Sequence, residues 1–364
     1  MRRHGPETAG RRAALLCVFC ALFNGCAVVG PDAIRGGRLA YNQAITETNN
    51  QQMLMVLVHN RYEETNQLLA VSSVTANVSV SSSARIEAGF GDSDDYDGNL
   101  VPFSGGFVYE ENPTISYTPI AGETYIRQLM APIPLAVVAQ IAQSLPYSEF
   151  AYSMLVASVH DIRNPAFLYG DQQDDPRFDR FTDLMSTLTY RHCLHWANDE
   201  RNPSGVEMVI DAAGECAEPA RGLANLLAFD SGGRQGEHLR VPVTPWFDRA
   251  GPGSIGLATR SIWNLVEILS AVVEVSPADE RAGWAAPFPR PGRTGRDLRI
   301  AYATSRPENA YVAVEHGDGW FYIDRSDLDT KRYFKLLSSL WSAAMAKSLG
   351  ANTGAPVLTV PVSR

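Results

Sequence analysis

His192 and His195 stand three residues apart with Cys193 between them, so side chains of metal-binding type crowd together there. Zinc needs three or four converging nitrogen, sulfur or oxygen ligands, and a helical spacing of three can put two histidines on one face. The pair His160-Asp161 lies elsewhere and supplies no third ligand at a recognised spacing. With Cys193 assigned to a disulfide below, the reading is two ordinary polar helix residues and no metal. The run Gly251-Pro252-Gly253-Ser254-Ile255-Gly256 has the GxGxxG spacing and precedes an apolar helical pattern. A dinucleotide fingerprint needs that turn directly after a strand, inside a parallel βαβ unit. Pro245 to Ala250 precedes it instead, so it reads as a loop and no cofactor is expected. Asp92-Ser93-Asp94-Asp95-Tyr96-Asp97-Gly98 suggests calcium until it is counted from Asp92. Tyr96 then falls where an EF-hand needs an oxygen and Asp97 where it needs glycine, leaving a solvated acidic loop.

Nucleophilic chemistry has no local signature either: neither GxSxG nor SxxK occurs. A triad can be assembled from distant residues, and Glu149, Asp161 and Glu207 offer carboxylates, but nothing in the sequence chooses a pair. Trp320-Phe321-Tyr322 form an aromatic cluster beside an Asp-Gly turn. Strand alternation sends Phe321 to one face and its neighbours to the other, so half the cluster is core and half could meet a partner. No catalytic residue is assigned.

The sharpest chemical feature is at the start. Arg2, Arg3, Arg11 and Arg12 precede the apolar run Ala13 to Phe23, and Phe23-Asn24-Gly25-Cys26 follows. A basic segment before a short apolar core is the layout of an export signal, and this run is too short to span a bilayer as a helix. Gly25 suits a lipobox, Phe23 and Asn24 do not, and Leu22 sits one place early. The expectation is a signal over 1–25, removed to leave Cys26 as the lipidated first residue. Arg11-Arg12 also resembles a twin-arginine export motif. Ala27 in place of Asp favours the outer membrane, with the body facing the periplasm.

That reading governs the remaining cysteines. Cys17 and Cys20 leave with the signal and Cys26 takes lipid, so Cys193 and Cys216 remain as an even pair in an oxidising compartment and are expected to bond. The chain carries 31 basic against 40 acidic side chains, net −9. This balance argues against nucleic acid as a partner, because such binding rests on neutralising phosphates. It equally disfavours docking on anionic lipid by a basic patch.

Periodicity supplies the elements. Ala40 to Asn60 reads as a helix, Leu68 to Ile86 as strand, and Phe107 to Ile120 as further strand that could close a long-looped hairpin. Helical spacing runs through Gly122–Met130, Pro134–Ser144, Tyr147–Arg163 and Asp175–Asn198, with Asp174 or Asp175 as a cap. Gly205 to Ala213 reads as a strand, and 230–256 as a Gly/Pro-rich excursion. Leu257 to Val275 reads as an amphipathic helix. Leu298–Thr304, Tyr311–His316 and Trp320–Asp324 read as strands, Leu328–Ser348 as a helix, and Ala355–Val362 as a last strand. The fold class is α+β, strand-rich at the N- and C-terminal regions around a helix-rich middle, with no transmembrane helix after the leader. The expected organisation is 1–25 signal, 26–227 an N-terminal α+β region, 228–256 a loop, and 257–364 a C-terminal α+β region packed on the first.

Gly30-Pro31, Arg35-Gly36-Gly37-Arg38, Tyr41-Asn42-Gln43-Ala44-Ile45, Val71-Ser72-Ser73-Val74-Thr75, Tyr117-Thr118-Pro119-Ile120-Ala121-Gly122, Trp320-Phe321-Tyr322-Ile323-Asp324 and Ala355-Pro356-Val357-Leu358-Thr359-Val360-Pro361 resemble a family of uncharacterised proteobacterial envelope lipoproteins. The resemblance implies an anchor at Cys26 and supplies no catalytic residue. The expected function is a lipid-anchored, non-enzymatic envelope protein that binds another envelope protein near the membrane surface. The alternatives are an envelope hydrolase with a dispersed site and a periplasmic small-ligand binding protein.

Overall fold

The computed structural model of the chain describes residues 29–65, 68–75, 78–86, 103–111, 114–120, 123–145, 148–199, 205–229, 238–245, 253–351 and 358–361. The leader, Cys26, the acidic run Asp92–Gly98, Gly251 and Pro252 lie outside the described residues. Two compact units divide the chain, Met1–Gln52 and Met53–Arg364.

Helix α1 (Val29–Arg61) starts well before Ala40. Pro31 falls in its first turn, where the missing N–H has no intrahelical role. Between Leu39 and Gln52 the helix is largely exposed, with the Thr46 and Thr48 hydroxyls donating back to the carbonyls of Asn42 (2.7 Å) and Ala44 (2.9 Å). In the Met53–Arg364 unit its last turns are core, with Leu54, Leu57 and Val58 fully buried.

Two nested antiparallel pairs follow: β1 (Leu68–Thr75) with β4 (Thr114–Ile120), and β2 (Val78–Ile86) with β3 (Phe103–Glu111). This is the long-looped hairpin that the alternation of Val74, Val78 and Val80 implies. Helices α2 (Glu123–Met130), α3 (Leu135–Ser144) and α4 (Ser148–Leu155) come next.

Helix α4 does not continue to Arg163 as expected. At Val156 the chain passes directly into β5 (Val156–Val159), turns at His160 (φ 49°), and returns as β6 (Ile162–Arg163). The sheet overrides helical spacing here, because Val156 and Val159 gain a strand partner and full burial. The same correction applies to Asp175–Asn198. Helix α5 (Pro176–Tyr190) ends, His192 adopts a left-handed φ of 57°, and Leu194–Asn198 forms strand β8 after β7 (Phe167–Leu168). The cap of α5 is Asp175, which accepts from the Arg177 amide at 2.9 Å, with Pro176 in the first turn.

Strand β9 (Val206–Asp211), helix α6 (Ala217–Leu227), strand β10 (His238–Thr244) and strand β11 (Ile255–Thr259) complete the largest sheet, in the order β6-β5-β11-β10-β9-β8. Thus part of the expected 228–256 excursion is structural: Val241 and Val243 of β10 are buried. Only β10 and β11 run parallel; the other neighbours are antiparallel. Likewise Leu257–Thr259 is strand, and the helix that follows, α7 (Ile262–Ala271), starts at a capping box in which Ser261 and Asn264 satisfy each other's backbone amides.

Beyond α7 come α8 (Pro277–Ala282), β12 (Arg290–Pro291) paired with β7, β13 (Ala301–Ala303), β14 (Ala310–His316), β15 (Gly319–Asp324), α9 (Leu328–Ala351) and β16 (Leu358–Pro361). Strands β13, β15 and β14 form one sheet; β16 returns to the free edge of β4. The fold is α+β, as its periodicities imply. One apolar cluster collects the end of α1, helices α3 to α7 and α9, and the inner sheet faces, so residues on both sides of 228–256 share a core. Among the described residues no helix is long and apolar enough to cross a membrane.

Cys193, just before β8, and Cys216, just before α6, are joined with their Cα atoms 5.7 Å apart, inside the range a disulfide requires. Both are buried. The bond therefore ties the entrance of an edge strand to the start of a helix.

Candidate functional site

An open groove of about 1560 Å³ runs between the ends of α3, α4 and α5 on one side and residues 290–297 on the other. Its walls follow from local sequence. Proline and glycine keep 290–297 out of regular helix, and Gly292 lies so close to its neighbour that an added Cβ would sit 2.2 Å from the Pro165 carbonyl oxygen. The Gly292 amide donates to the Ala166 carbonyl at 2.9 Å, fixing the segment against β7.

From this segment arginines reach toward the acids at the start of α5. The Arg293 guanidinium meets both carboxylate oxygens of Asp179, at 2.6 and 2.7 Å, and stacks 5.7 Å from the Phe178 ring. Its backbone amide donates to Asp174 at 3.0 Å, and Arg296 pairs with the same carboxylate. Arg290 donates to the Gln172 carbonyl at 2.9 Å. A bidentate arginine–carboxylate pair is directional as well as charged, so these contacts set the groove's shape. At the α5 end, Ser148 donates to Ser186 at 3.2 Å, and Tyr190 stands 83 % exposed at the rim.

Under the groove lies a buried cation. Arg260, 2 % exposed, follows β11 and donates to the carbonyls of Ser153 (2.9 Å), Met154 (2.9 Å) and Asn164 (2.6 Å) and to the Thr294 hydroxyl (3.0 Å). Burial pushes its pKa down to about 10, so it stays protonated at neutral pH. Asn164, also buried, donates from its amide to Ser153 and Val156 carbonyls at 2.8 Å each. These two side chains bind α4, β5, β6 and the 290s segment together from below.

A second cluster joins residues far apart in sequence. At the end of α1 the Tyr62 amide donates to the Val58 carbonyl, Glu63 takes φ 56°, and the Glu64 amide reaches back to the His59 carbonyl at 2.8 Å. This reversal, a Schellman-type close, brings the Glu64 carboxylate over His59, with Oε2 3.6 Å from Nε2. The β14–β15 hairpin supplies the third member. Its two-residue turn places Gly317 at φ 58°, and His316 at the end of β14 puts Nε2 2.9 Å from the same Glu64 oxygen. One ligand atom from each of His59, Glu64 and His316 lies within 4.8 Å of the others. Tyr62 packs against the His316 ring at 4.8 Å and Phe321 stands 6.0 Å from it. Burial and a 2.8 Å hydrogen bond to Asp279 push the Tyr62 phenol pKa up, so it acts as a neutral donor.

The residues singled out from sequence scatter. His192 lies in the turn after α5 and His195 on β8, so they do not share a helical face. His160 occupies the β5–β6 turn, where burial lowers its pKa, and Asp161 beside it pairs with Arg177 at 2.8 Å. Glu207 pairs with Arg240 at 2.8 Å on the sheet, while Glu149 lines the groove; the three carboxylates do not converge. Ile255 and Gly256 of the glycine-rich run belong to strand β11, with no helix at that turn. Phe321 is buried, with Trp320 and Tyr322 half-buried on the opposite face, and Arg306 stacks on Trp320 at 5.4 Å. His59 and Glu64, split across a helix end and 252 residues from His316 along the Glu64–His316 contact, carry no spacing a sequence reading could use.

No family model, curated protein or solved structure matches this chain.

Proposed function

We propose that this chain is a lipid-anchored envelope protein, held through Cys26 at the outer membrane, whose Met53–Arg364 unit binds a polypeptide segment of another envelope protein in the groove. The observation that carries this reading is the groove's character: open, about 1560 Å³, and walled by arginines already paired with aspartates. Small-ligand sites are typically enclosed and mostly apolar, at roughly 300–1,000 Å³. An open wall of alternating charge suits a chain that brings charges of both signs. The exposed Tyr190 at the rim is the residue type that interfaces favour. The leader and the Cys193–Cys216 pair support an oxidising compartment. The early start of α1 leaves no Gly/Ser-rich tether after Cys26.

Two measurements test the reading. Labelled palmitate should enter the parent protein and not the Cys26→Ser form, which should leave the membrane fraction. A photo-crosslinking residue at position 190 should give a discrete protein adduct in living cells, absent when the probe stands at the exposed Trp284. Identical adducts at both positions, or none at 190, would overturn the groove as the binding surface.

A further inference from the structure

We propose that His59, Glu64 and His316 form a binding site for one divalent transition-metal ion, zinc by preference, clasping the end of α1 to the β14–β15 turn. The geometry comes first. Ligand atoms about 2.05 Å from a tetrahedral zinc lie about 3.3 Å from one another. The two separations to the Glu64 oxygen, 2.9 Å to His316 and 3.6 Å to His59, fall on either side of that edge length. All three ligand atoms already lie within 4.8 Å of one another, so an ion among them would draw in groups that are close together.

The donor set comes second. Two imidazoles and one carboxylate form a ligand set that zinc accepts, and harder ions such as calcium or magnesium prefer oxygen throughout. Three protein ligands leave the fourth position for water or an incoming donor. Glu64 is the exposed member, with its side chain 48 % accessible against 25 % for His59 and 17 % for His316, so the cluster is open to solvent on the glutamate's side.

The surroundings come third. The backbone is shaped to present these atoms: a left-handed Glu63 turns the chain so that Glu64 returns over His59, and the tight turn at Gly317 fixes His316. The Tyr62 and Phe321 rings wall the His316 imidazole, holding its plane. Tyr62 is itself tied to Asp279 on α8, so a third element braces the cluster. Such bracing of ligand orientation usually changes metal affinity by about 10–100-fold. This site is independent of the groove reading.

The test is zinc titration of the purified, EDTA-treated and dialysed full-length protein by calorimetry at neutral pH, with bound metal counted by mass spectrometry. One ion per chain is expected, and a cobalt-loaded sample should show the visible absorption of four-coordinate Co2+. Glu64→Gln and His316→Ala should each weaken zinc binding by about 100-fold or more, while His195→Ala, on a remote strand, should leave it unchanged. Glu64 is exposed, so Glu64→Gln keeps the fold, checked by circular dichroism and an intact disulfide. Substoichiometric metal in the parent, or zinc affinity untouched by Glu64→Gln in the folded variant, overturns the site.

Discussion

Replacing Arg260 by methionine should destabilise the Met53–Arg364 unit by about 3–5 kcal/mol, the range for breaking a buried charged network. The guanidinium is 2 % exposed and donates four hydrogen bonds, to Ser153, Met154, Asn164 and Thr294. A hydrogen bond from a charged donor contributes about 1.5–3 kcal/mol net, and four bonds sharing one guanidinium do not simply add, so the loss stays near that range. Two effects reduce it. The Ser153 carbonyl keeps its bonds from Asn164 (2.8 Å) and Thr294 (2.9 Å), so methionine does not orphan it. Burial also opposes the charged form, lowering its pKa to about 10, a desolvation cost that methionine avoids. Because the folded pKa is depressed, that cost is present at neutral pH and fades only as pH rises through about 10. Methionine fills the volume, which limits any cavity term. Urea unfolding followed by near-ultraviolet circular dichroism, disulfide intact, should show the midpoint falling by roughly 1–2 M. Arg260→Lys keeps the charge but lacks the planar fork, and should fall between parent and methionine. A methionine variant within about 1 kcal/mol of the parent would refute the idea that this carbonyl cage holds the groove floor.

Gly292→Ala should cost about 1–3 kcal/mol, because the new methyl would meet a backbone oxygen 2.2 Å away that cannot swing aside. The strain falls on the arginine segment, so faster tryptic cleavage at Arg293 or Arg296 than in the parent is the readout. Alkylation with and without prior reduction should give different masses for the Cys193–Cys216 pair, and reduction should lower stability by about 3 kcal/mol on the chain-entropy model. Equal masses would remove the disulfide. Asp175→Ala should cost about 1 kcal/mol by uncapping α5. The hydrogen bonds from Arg177 hold the Asp175 carboxyl below its usual range, so the parent's advantage over the variant should persist above that range. It should vanish as pH falls through the lowered folded value, and a difference that grows on acidification would contradict the assignment.

Where local chemistry and tertiary demand agreed, sequence sufficed. The cap at Asp175, the paired strands around Val78 and the tight turn after His316 all announce themselves in residues next to one another. Where a short apolar segment could serve either period, tertiary pairing decided: Val156–Val159 and Leu194–Asn198 became strands because sheet neighbours awaited them. Both candidate sites belong to a third category. The Arg293–Asp179 pair and the His59–Glu64–His316 group join residues more than a hundred positions apart, so no window of sequence contains either. The aromatic run at 320–322 was half legible, since alternation separated Phe321 from Trp320 but gave no hint of Arg306.

The return of β16 to β4 has a consequence for how the chain is made. Strand β4 ends at Ile120, yet its second neighbour is residues 358–361, so everything between them must be made before that sheet can close. Pairings this distant in sequence are slow to form. Until residues 358–361 have been made, β4 can pair only with β1, and its other edge waits for the strand most distant from it in the described residues. The same delay leaves one flank of β4 bare in the nascent chain, an unpaired edge on which another strand can add.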